Sequence, residues 1–380
     1  MGASPLEGAV EWARGRQEPE GEGPGIGAAL SGTPGLPVER SRYSMGTEAR
    51  VRIEAIHEEV GGASGVDPVA LAEGALERID EVDRAASLYR PESDLCRVNA
   101  AAASGRSPVG PLLAELLAES MRLARLTRGA FDPTIKPLMD ELGFYREIGS
   151  RPDSSGMKGA LARVGWRKIA LDRRKGEIRF RRPGMALDFG GIGKGYALDR
   201  GGEFLKMHGV VRAQIELGRS YLFIGKDPEE GSGRFSLGVA VPGVGGTEEI
   251  LALIFAPEGA VATSSPLTQT RRSGSRIVGH IVDPHSGPLT TAIRSVTVWA
   301  RRGAEADALA TALVVAGPGG IERLRRKLPF EALVVLEGDE PAIGRAAGGH
   351  RAPGGVGGPA LGTIIATPGL AWTASPKSGG

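Results

Sequence analysis

The chain has 380 residues, of which 41% are hydrophobic and 24% are charged, so it can bury one large core or two smaller ones. Its 47 lysines and arginines nearly balance 45 aspartates and glutamates, and the formal net charge of +2 gives no long-range field for nucleic acid or an anionic membrane. Cys96 is the single cysteine, which excludes an intramolecular disulfide. We therefore expect a globular protein with no nucleic-acid partner.

The two ends of the chain differ in composition from the middle. Residues 1–41 are rich in Gly, Pro and Glu, and residues 346–380 are rich in Gly and Pro, which predicts disorder at both ends and a folded domain over 42–345. The first residues carry early charges and no apolar run of secretory-signal length. No stretch approaches the roughly 18 uninterrupted apolar residues of a membrane span. The sequence as written predicts a cytoplasmic protein without a transmembrane segment.

Hydrophobic periodicity predicts helices early in the domain and strands later. The alternating segment MGTEARVRIEA (45–55) predicts a strand, and VALAEGALERIDEVDRAA (69–86) and PLLAELLAESMRLARLT (111–127) predict amphipathic helices. From about residue 167 the pattern predicts short strands over RKIALD, EIRFRR, AQIEL, YLFIG, FSLGVAV, ILALIFA and RSVTVWA. Further helices are expected after Lys194 and over EADALATALVVAG (305–317). This order indicates an α+β fold rather than regular βαβ alternation.

The segment ALDFGGIGKGYALD (186–199) places four glycines around Lys194. It is not a P-loop, because Gly195 follows the lysine, and it fails the dinucleotide fingerprint at Ala197. It predicts a strand ending near Asp188, a glycine turn and a helix beginning near Lys194, so that free N–H groups and a lysine face one place where an anion fits. The alternative is a tight connection in which the glycines only relieve steric conflict.

Two other segments contain candidate metal-ligating and acid–base residues. Asp307 and Thr311 are four residues apart, hence on one helix face, and two hard oxygens suit Mg²⁺. The alternative is that Asp307 caps or flanks its helix and Thr311 packs. GHIVDPHSGPLT places His280, Asp283 and His285 in a turn-forming context that does not align them for zinc. His280 is better suited to act as an acid or base.

Seven segments together resemble the FAD:protein FMN transferases, the ApbE family. They are YSMGTEARV, SLYRPESDLCRVN, GAFDPTIKPLMDELGF, DFGGIGKGYALD, VATSS, HIVDPHSG and SVTVWARRGAEADALATAL, in the family's order and approximate spacing over residues 43–340. The resemblance implies a T-fold-like α+β structure with mixed antiparallel sheets and packed helices. It also implies covalent flavinylation: FAD is split at its pyrophosphate, FMN is esterified to a threonine hydroxyl of an acceptor flavoprotein, and AMP leaves.

The resemblance also implies roles for particular residues. Mg²⁺ would be held by Asp307, Thr311 and the backbone carbonyl of Gly193. The base would be His280, with Asp283 as the alternative. The side chains and backbone that would line the FAD site are those of Met45, Tyr89, Ala130, Phe131, Asp132, Asp188, Gly190, Lys194, Thr263 and Ile281. Ordinary alternatives are a core position for Met45 and Phe131 and a turn-forming role for Asp132.

The sequence departs from the family pattern in three ways. Arg219 replaces the second glycine of a loop that is commonly Asn-x-Gly-Gly-Asp/Asn, and Ser220 replaces the polar residue after it. His285 and Ser286 stand where the family usually has a basic residue and a threonine. The export signal or lipid anchor of many members is not seen. A protein that holds FAD without turnover is therefore an alternative, although the intact cation-ligand pair and the turn lysine favour catalysis.

Overall fold

The computed structural model describes residues 36–57, 67–145, 154–226, 234–242, 248–273, 276–289, 293–336 and 363–374. The strands in these ranges, in chain order, are β1 (Val38–Ser44), β2 (Thr47–Ile56), β3 (Arg106–Pro108), β4 (Ile169–Asp172), β5 (Glu177–Phe180), β6 (Val210–Leu217), β7 (Ser220–Ile224), β8 (Phe235–Pro242), β9 (Glu248–Ala256), β10 (Gly259–Ser264), β11 (Thr270–Ser273), β12 (Arg276–Gly279), β13 (Val282–Asp283), β14 (Gly287–Pro288), β15 (Ile293–Ala300), β16 (Phe330–Leu336), β17 (Ile364–Ala366) and β18 (Ala371–Ala374).

The α-helices in the same ranges are α1 (Pro68–Ala86), α2 (Asp94–Ala101), α3 (Pro111–Leu126), α4 (Lys136–Glu141), α5 (Ser154–Arg163), α6 (Gly193–Met207), α7 (Gly303–Ala316) and α8 (Gly320–Arg325). The long helices predicted over 69–86 and 111–127 are confirmed as α1 and α3, and the two predicted beside the glycine turn and over 305–317 are confirmed as α6 and α7.

The central element is an eight-stranded antiparallel sheet in the order β1-β2-β6-β7-β10-β15-β16-β17. Helices α1, α6 and α7 cover one of its faces, and the three-stranded sheet β18-β9-β8 covers the other. Alternate residues of β7 show why both faces are buried: Leu222 and Ile224 pack with the helices, while Tyr221 and Phe223 pack with the small sheet. The predicted α+β class with antiparallel sheets is confirmed.

The segment before the glycine turn forms no strand, so the prediction of a strand ending near Asp188 was wrong. The backbone N–H and carbonyl groups of this segment bond to a side chain and to a loop carbonyl instead of to a neighbouring strand. Asn99 of α2 donates to the Leu187 carbonyl at 2.9 Å and accepts from the Leu187 N–H at 2.7 Å, and the Asp188 N–H donates to the Pro133 carbonyl at 2.8 Å. Because these partners are distant in sequence, the local pattern did not reveal them.

The expectation of disorder at the ends is corrected where those ends are described. β1 begins at Val38, before the predicted start of the domain, and β17 and β18 lie inside the predicted tail. The apolar side chains of Ile364, Ala366 and Leu370 are buried, which holds this part of the tail on the sheets. Residues 1–35, 346–362 and 375–380 lie outside the described residues. Nowhere in the described ranges is a helix both long and apolar enough to cross a membrane.

Candidate active site

The glycine turn over 188–195 is anchored by its own aspartate. Asp188 is buried, and its carboxylate accepts hydrogen bonds from the Gly190 N–H at 2.7 Å and from the Tyr145 hydroxyl at 2.8 Å. Burial raises the pKa of Asp188, while these two hydrogen bonds act in the opposite direction. The Gly193 N–H donates to the Phe189 carbonyl at 2.7 Å and begins α6. Asp188 thus fixes the shape of the turn.

Helix α7 brings Asp307 and Thr311 against this turn. The two side chains are one helical turn apart, as predicted. Asp307 Oδ2 accepts a hydrogen bond from the Gly195 N–H at 3.0 Å, and Thr311 Oγ1 would lie 3.0 Å from a Cβ placed on Gly191. The carboxylate and the hydroxyl therefore contact the chain on either side of Gly193. The structure thus places Asp307 and Thr311 beside the turn that contains Gly193, whose carbonyl was predicted as the third cation ligand.

The chemistry of this donor set fits a hard divalent cation. Burial raises the pKa of Asp307, opposed by the charge of Lys194 and by backbone N–H groups, so an ionised carboxylate here benefits from a bound cation. One carboxylate, one hydroxyl and one carbonyl are oxygen ligands of the kind Mg²⁺ takes, and they leave positions for phosphate oxygens. Across the described ranges, no group of three or more His, Cys, Asp or Glu side chains forms a metal site.

The end of β10 adds one hydroxyl group to the same region. Ser264 Oγ lies 3.4 Å from Thr311 Oγ1. Thr263 Oγ1 lies 2.9 Å from Thr297 Oγ1, and the alternation of the strand puts this pair on the face of β10 that carries Val261 and packs with the small sheet. Thr263 was predicted to line the FAD site, whereas Ser264 was missed. The signal was present in VATSS, where polar residues end an apolar strand.

His280 is held by a backbone carbonyl. Its N–H donates to the Gln269 carbonyl at 2.9 Å, and its Nδ1 lies 3.3 Å from the same oxygen. Because a carbonyl only accepts, this contact puts the ring proton on Nδ1 and leaves the Nε2 lone pair available. Burial lowers the pKa of His280, and the charge of Lys194 lowers it further, so the ring is neutral at pH 7. The next residue, Ile281, is buried.

Asp283, the alternative base, is engaged in its own turn. Its Oδ1 accepts from the His285 N–H at 2.8 Å, and its Oδ2 accepts from the Ser286 hydroxyl at 2.6 Å. Ser286 therefore uses its hydroxyl to close this turn. Both carboxylate oxygens of Asp283 therefore take part in holding the turn that carries His285 and Ser286.

An aromatic pair borders the turn. Tyr89 is 78% exposed, and its ring centroid lies 6.1 Å from that of Tyr145 in an edge-to-face arrangement. Lys136 Nζ lies 5.4 Å from the centroid of Tyr145. Because the Tyr145 hydroxyl also binds Asp188, the exposed Tyr89 ring is tied through Tyr145 to the glycine turn. Tyr89 was predicted as a flavin contact, and Tyr145 was missed.

The predicted Ala130–Asp132 segment lies beneath the turn. Ala130 and Phe131 are buried, and Phe131 Cε2 would lie 3.5 Å from a Cβ on Gly191. Asp132 accepts from the Thr134 N–H at 2.9 Å, from its hydroxyl at 2.6 Å, and from the Trp166 N–H at 2.8 Å. These contacts match the packing and turn-forming alternatives, so the segment supports the turn from below.

The arginine that replaces a family glycine is compatible with its turn. Gly218 has φ +63°, and positive φ among the described non-glycine residues occurs only at Met45 and Arg128, so Arg219 does not need it. A two-residue hairpin turn of type II′ requires positive φ only at its first position. The Arg219 carbonyl also accepts from the Thr263 N–H at 3.2 Å. The backbone of this loop therefore keeps its contact with the site despite the substitution.

Met45 has a positive φ, which costs energy for a non-glycine residue, and its side chain lies close to the glycine turn. It has φ +51° in the turn between β1 and β2, and its Cε would lie 3.4 Å from a Cβ on Gly193. We expect Met45→Asn to raise the unfolding free energy by about 1 kcal/mol, because Asn tolerates this region better, and to weaken FAD binding. Thermal unfolding and FAD titration measure both effects. Arg128→Asn, at the exposed positive-φ residue, is the control that relieves strain without changing FAD affinity; unchanged affinity in Met45→Asn would remove Met45 from the site.

The two glycines beside Lys194 have different surroundings, so we expect substitutions at Gly193 and Gly195 to affect stability differently. A Cβ on Gly195 would overlap the Gly303 carbonyl, whereas one on Gly193 would meet only Met45 Cε at 3.4 Å and Phe189 Cβ at 4.0 Å. We expect Gly195→Ala to cost about 3 kcal/mol of unfolding free energy, since backbone must move, and Gly193→Ala to leave stability nearly unchanged while weakening FAD binding. Chemical denaturation and FAD titration separate them. Equal destabilisation of the two variants would contradict the distinction.

Comparison with known proteins identifies the family of the chain. A model of the ApbE family matches residues 45–334. The FAD:protein FMN transferase of Klebsiella pneumoniae is 27% identical over 303 residues, covering 78% of this chain and 83% of that protein, and the FAD:protein FMN transferase of Treponema pallidum is 29% identical over 318 residues, covering 78% and 84%. The crystal structure of the ApbE protein of Thermotoga maritima matches with a TM-score of 0.68 and 26% identity, covering 79% of this chain and 94% of that one.

These matches place the chain among transferases, which are enzymes. The chain belongs to the ApbE family. The resemblance drawn from its seven sequence segments is confirmed.

Proposed function

We propose that the protein transfers FMN from FAD to a threonine hydroxyl of an acceptor flavoprotein, with Mg²⁺ bound and AMP released. The relatives' name supports flavin transfer, and the donor set beside the glycine turn supports the metal. The acceptor is a protein whose threonine reaches the exposed side of the turn. FAD is the substrate, and Mg²⁺ is the cofactor.

The observation that carries the proposal is the contact of α7 with the glycine turn, where Asp307 Oδ2 accepts from the Gly195 N–H at 3.0 Å and Thr311 Oγ1 would lie 3.0 Å from a Cβ on Gly191. The charge of Lys194 in this turn opposes the effect of burial on the pKa of Asp307, and it adds to the effect of burial in lowering the pKa of His280. One ammonium group thus acts on the candidate cation ligand and on the candidate base. The two functions that phosphoryl transfer needs, charge neutralisation and a base for the nucleophile, therefore meet at one lysine.

The cation would be held by the carboxylate of Asp307, the hydroxyl of Thr311 and the carbonyl of Gly193. When bound, Mg²⁺ neutralises charge on the pyrophosphate. Lys194 favours the phosphates at the same place by its positive charge. The first N–H groups of α6 are not free for this, contrary to the expectation from the sequence, because Gly193 donates to the Phe189 carbonyl and Gly195 donates to Asp307. Tyr89 offers an aromatic face to the flavin or adenine ring.

His280 would take the proton of the acceptor threonine at Nε2. The threonine oxygen then bonds to the phosphorus that carries the flavin, and the bond from that phosphorus to the bridging oxygen breaks. The bridging oxygen leaves with AMP, so the acceptor gains FMN less one water. Because burial and Lys194 keep the ring neutral at pH 7, His280 is in the form that accepts this proton.

The second candidate is a protein that binds FAD without turnover, and Arg219 is the observation in its favour. Burial lowers the pKa of Arg219, which shows a partly desolvated cation where the family has glycine. Asp307 and Thr311 favour catalysis, because a binder has no need of a cation-ligand pair.

The test is incubation with FAD, Mg²⁺ and a threonine-containing flavoprotein domain purified without its covalent flavin, followed by intact mass and AMP measurement. The proposal expects an acceptor heavier by FMN less one water, together with AMP, and no reaction in EDTA. Replacing the acceptor threonine by valine is the control. Bound but intact FAD in the presence of Mg²⁺ and acceptor would instead identify the binder.

A further inference from the structure

The N-termini of α6 and α7 meet without a local cap on either helix. Ile192 and Arg302 occupy the N-cap positions, and neither side chain makes a capping hydrogen bond. The first N–H groups of a helix have no partner within it, and leaving them buried and unpaired is costly. Another element must therefore supply the acceptors.

Each helix caps the other with an aspartate. Asp307 of α7 accepts from the Gly195 N–H at 3.0 Å. In return, Asp199 of α6 accepts from the Gly303 N–H at 2.6 Å through Oδ1 and from the Ala304 N–H at 3.1 Å through Oδ2. Each aspartate lies four residues after the glycine at the contact, in the segments GYALD (195–199) and GAEAD (303–307). The two segments form a reciprocal pair.

Backbone contact makes this crossing tight. A Cβ on Gly195 would overlap the Gly303 carbonyl, and a Cβ on Gly303 would overlap the Gly195 carbonyl. Because neither glycine carries a side chain, the aspartate caps fix the register of the two helices at this point of the contact. A shift of α7 along α6 breaks the caps before it meets any steric barrier from side chains at these glycines.

The two aspartates have different neighbours. Asp307 lies one turn before Thr311, on the side of the glycine turn. Asp199 lies on the other side of the crossing, where both of its oxygens bind N–H groups and Arg302 Nε lies 3.7 Å away. Burial raises the pKa of Asp199 to about 6, against these donors, so Asp199 is ionised at pH 7 and caps α7 as a carboxylate.

We propose that Asp199 is a positioning residue for the cation site: by capping α7, it holds Asp307 and Thr311 over Gly193. This inference rests on the proposed function, since it assigns Asp199 a role toward the cation. Asp199 does not touch the cation or FAD. Outer partners that orient metal ligands typically contribute about 10- to 100-fold in affinity, which is the effect expected here.

The test is a titration of Mn²⁺ in the presence of FAD and without acceptor. The electron paramagnetic resonance signal of free Mn²⁺ reports how much of the metal is bound. Asp199→Asn is expected to raise the Mn²⁺ Kd by about 10- to 100-fold while FAD affinity in EDTA stays unchanged. Glu203→Gln, at an exposed residue one turn further along α6, is the matched control and should bind Mn²⁺ like the wild type. An unchanged Mn²⁺ Kd in Asp199→Asn, or an equal loss of metal-free FAD affinity, overturns the positioning role.

Asp307→Ala separates this inference from the proposed function. If Asp307→Ala no longer binds Mn²⁺ while Asp199→Asn binds it like the wild type, only the positioning role of Asp199 is wrong. If Asp307→Ala binds Mn²⁺ like the wild type, the cation assignment itself falls, and the inference with it.

A measurement on the wild type covers the case in which Asp199→Asn does not fold. Because coupling is reciprocal, a cation at Asp307 must stabilise the cap that positions it. Amide exchange at Gly303 and Ala304 should therefore slow when Mg²⁺ is added to the FAD complex. Exchange at these two amides that Mg²⁺ leaves unchanged overturns the proposal.

Discussion

Asp307→Ala is expected to lower kcat/KM for FMN transfer by at least about 10³-fold, or about 4 kcal/mol of transition-state stabilisation. The variant removes the only carboxylate of the proposed cation site. Asp307 also caps α6 through the Gly195 N–H, so a loss of about 1 kcal/mol in unfolding free energy should accompany it. Initial rates at several Mg²⁺ concentrations, with thermal unfolding alongside, measure both effects.

Two further variants divide the roles of Asp307. Asp307→Asn keeps an oxygen for the Gly195 N–H and removes the charge, so it should restore stability without restoring the rate. Thr311→Ala removes a neutral ligand and should cost less, on the order of tenfold. Wild-type turnover by Asp307→Ala at limiting Mg²⁺ would show that the metal assignment is wrong.

His280→Asn is expected to slow FMN transfer by roughly 10² to 10⁴ while leaving FAD binding nearly normal, because a general base contributes about this much. Single-turnover transfer at saturating FAD isolates the chemical step. A structural histidine would instead affect mainly the unfolding temperature. An unchanged rate in the folded, FAD-saturated variant would remove His280 from the mechanism and return attention to Asp283.

The pH dependence of the wild type follows from the direction of the His280 pKa shift. The neutral ring is the base, so transfer is lost as pH falls through the folded pKa, and burial and Lys194 place that pKa below the usual value near 6.5. The rate should therefore be flat across neutral pH and fall only in more acidic solution. Lys194→Gln should move the fall to higher pH at saturating FAD, and an acidic limb that does not move would show that Lys194 does not act on His280.

The sequence predicted those parts of the site that lie within one helix or one turn. Asp307 and Thr311 were predicted to share a face because helical spacing alone determines it, and α7 confirms this. The helix that begins beside Lys194 was likewise visible in the local pattern. The alternative role for Asp307 was also informative, because it does cap a helix, although the helix is α6 and not its own.

What the sequence did not reveal depends on contacts between distant segments. The strand expected before the glycine turn is replaced by hydrogen bonds from Asn99, which is 88 residues from Leu187. Tyr145 was missed because its link to Asp188 spans 43 residues. The strands in the Gly- and Pro-rich tail were missed because average composition hides short apolar runs such as TIIA. In each case the partner that satisfies the backbone or buries the side chain lies outside any local window.

The measurement that tests the central claim most directly is a titration of Mg²⁺ in which AMP and flavinylated acceptor are quantified in the same sample. The account predicts that both products rise together in equal amounts as Mg²⁺ increases, and that neither appears with Asp307→Asn. AMP without flavinylated acceptor would indicate a hydrolase. FAD that stays bound and intact at every Mg²⁺ concentration would contradict the transfer reaction altogether.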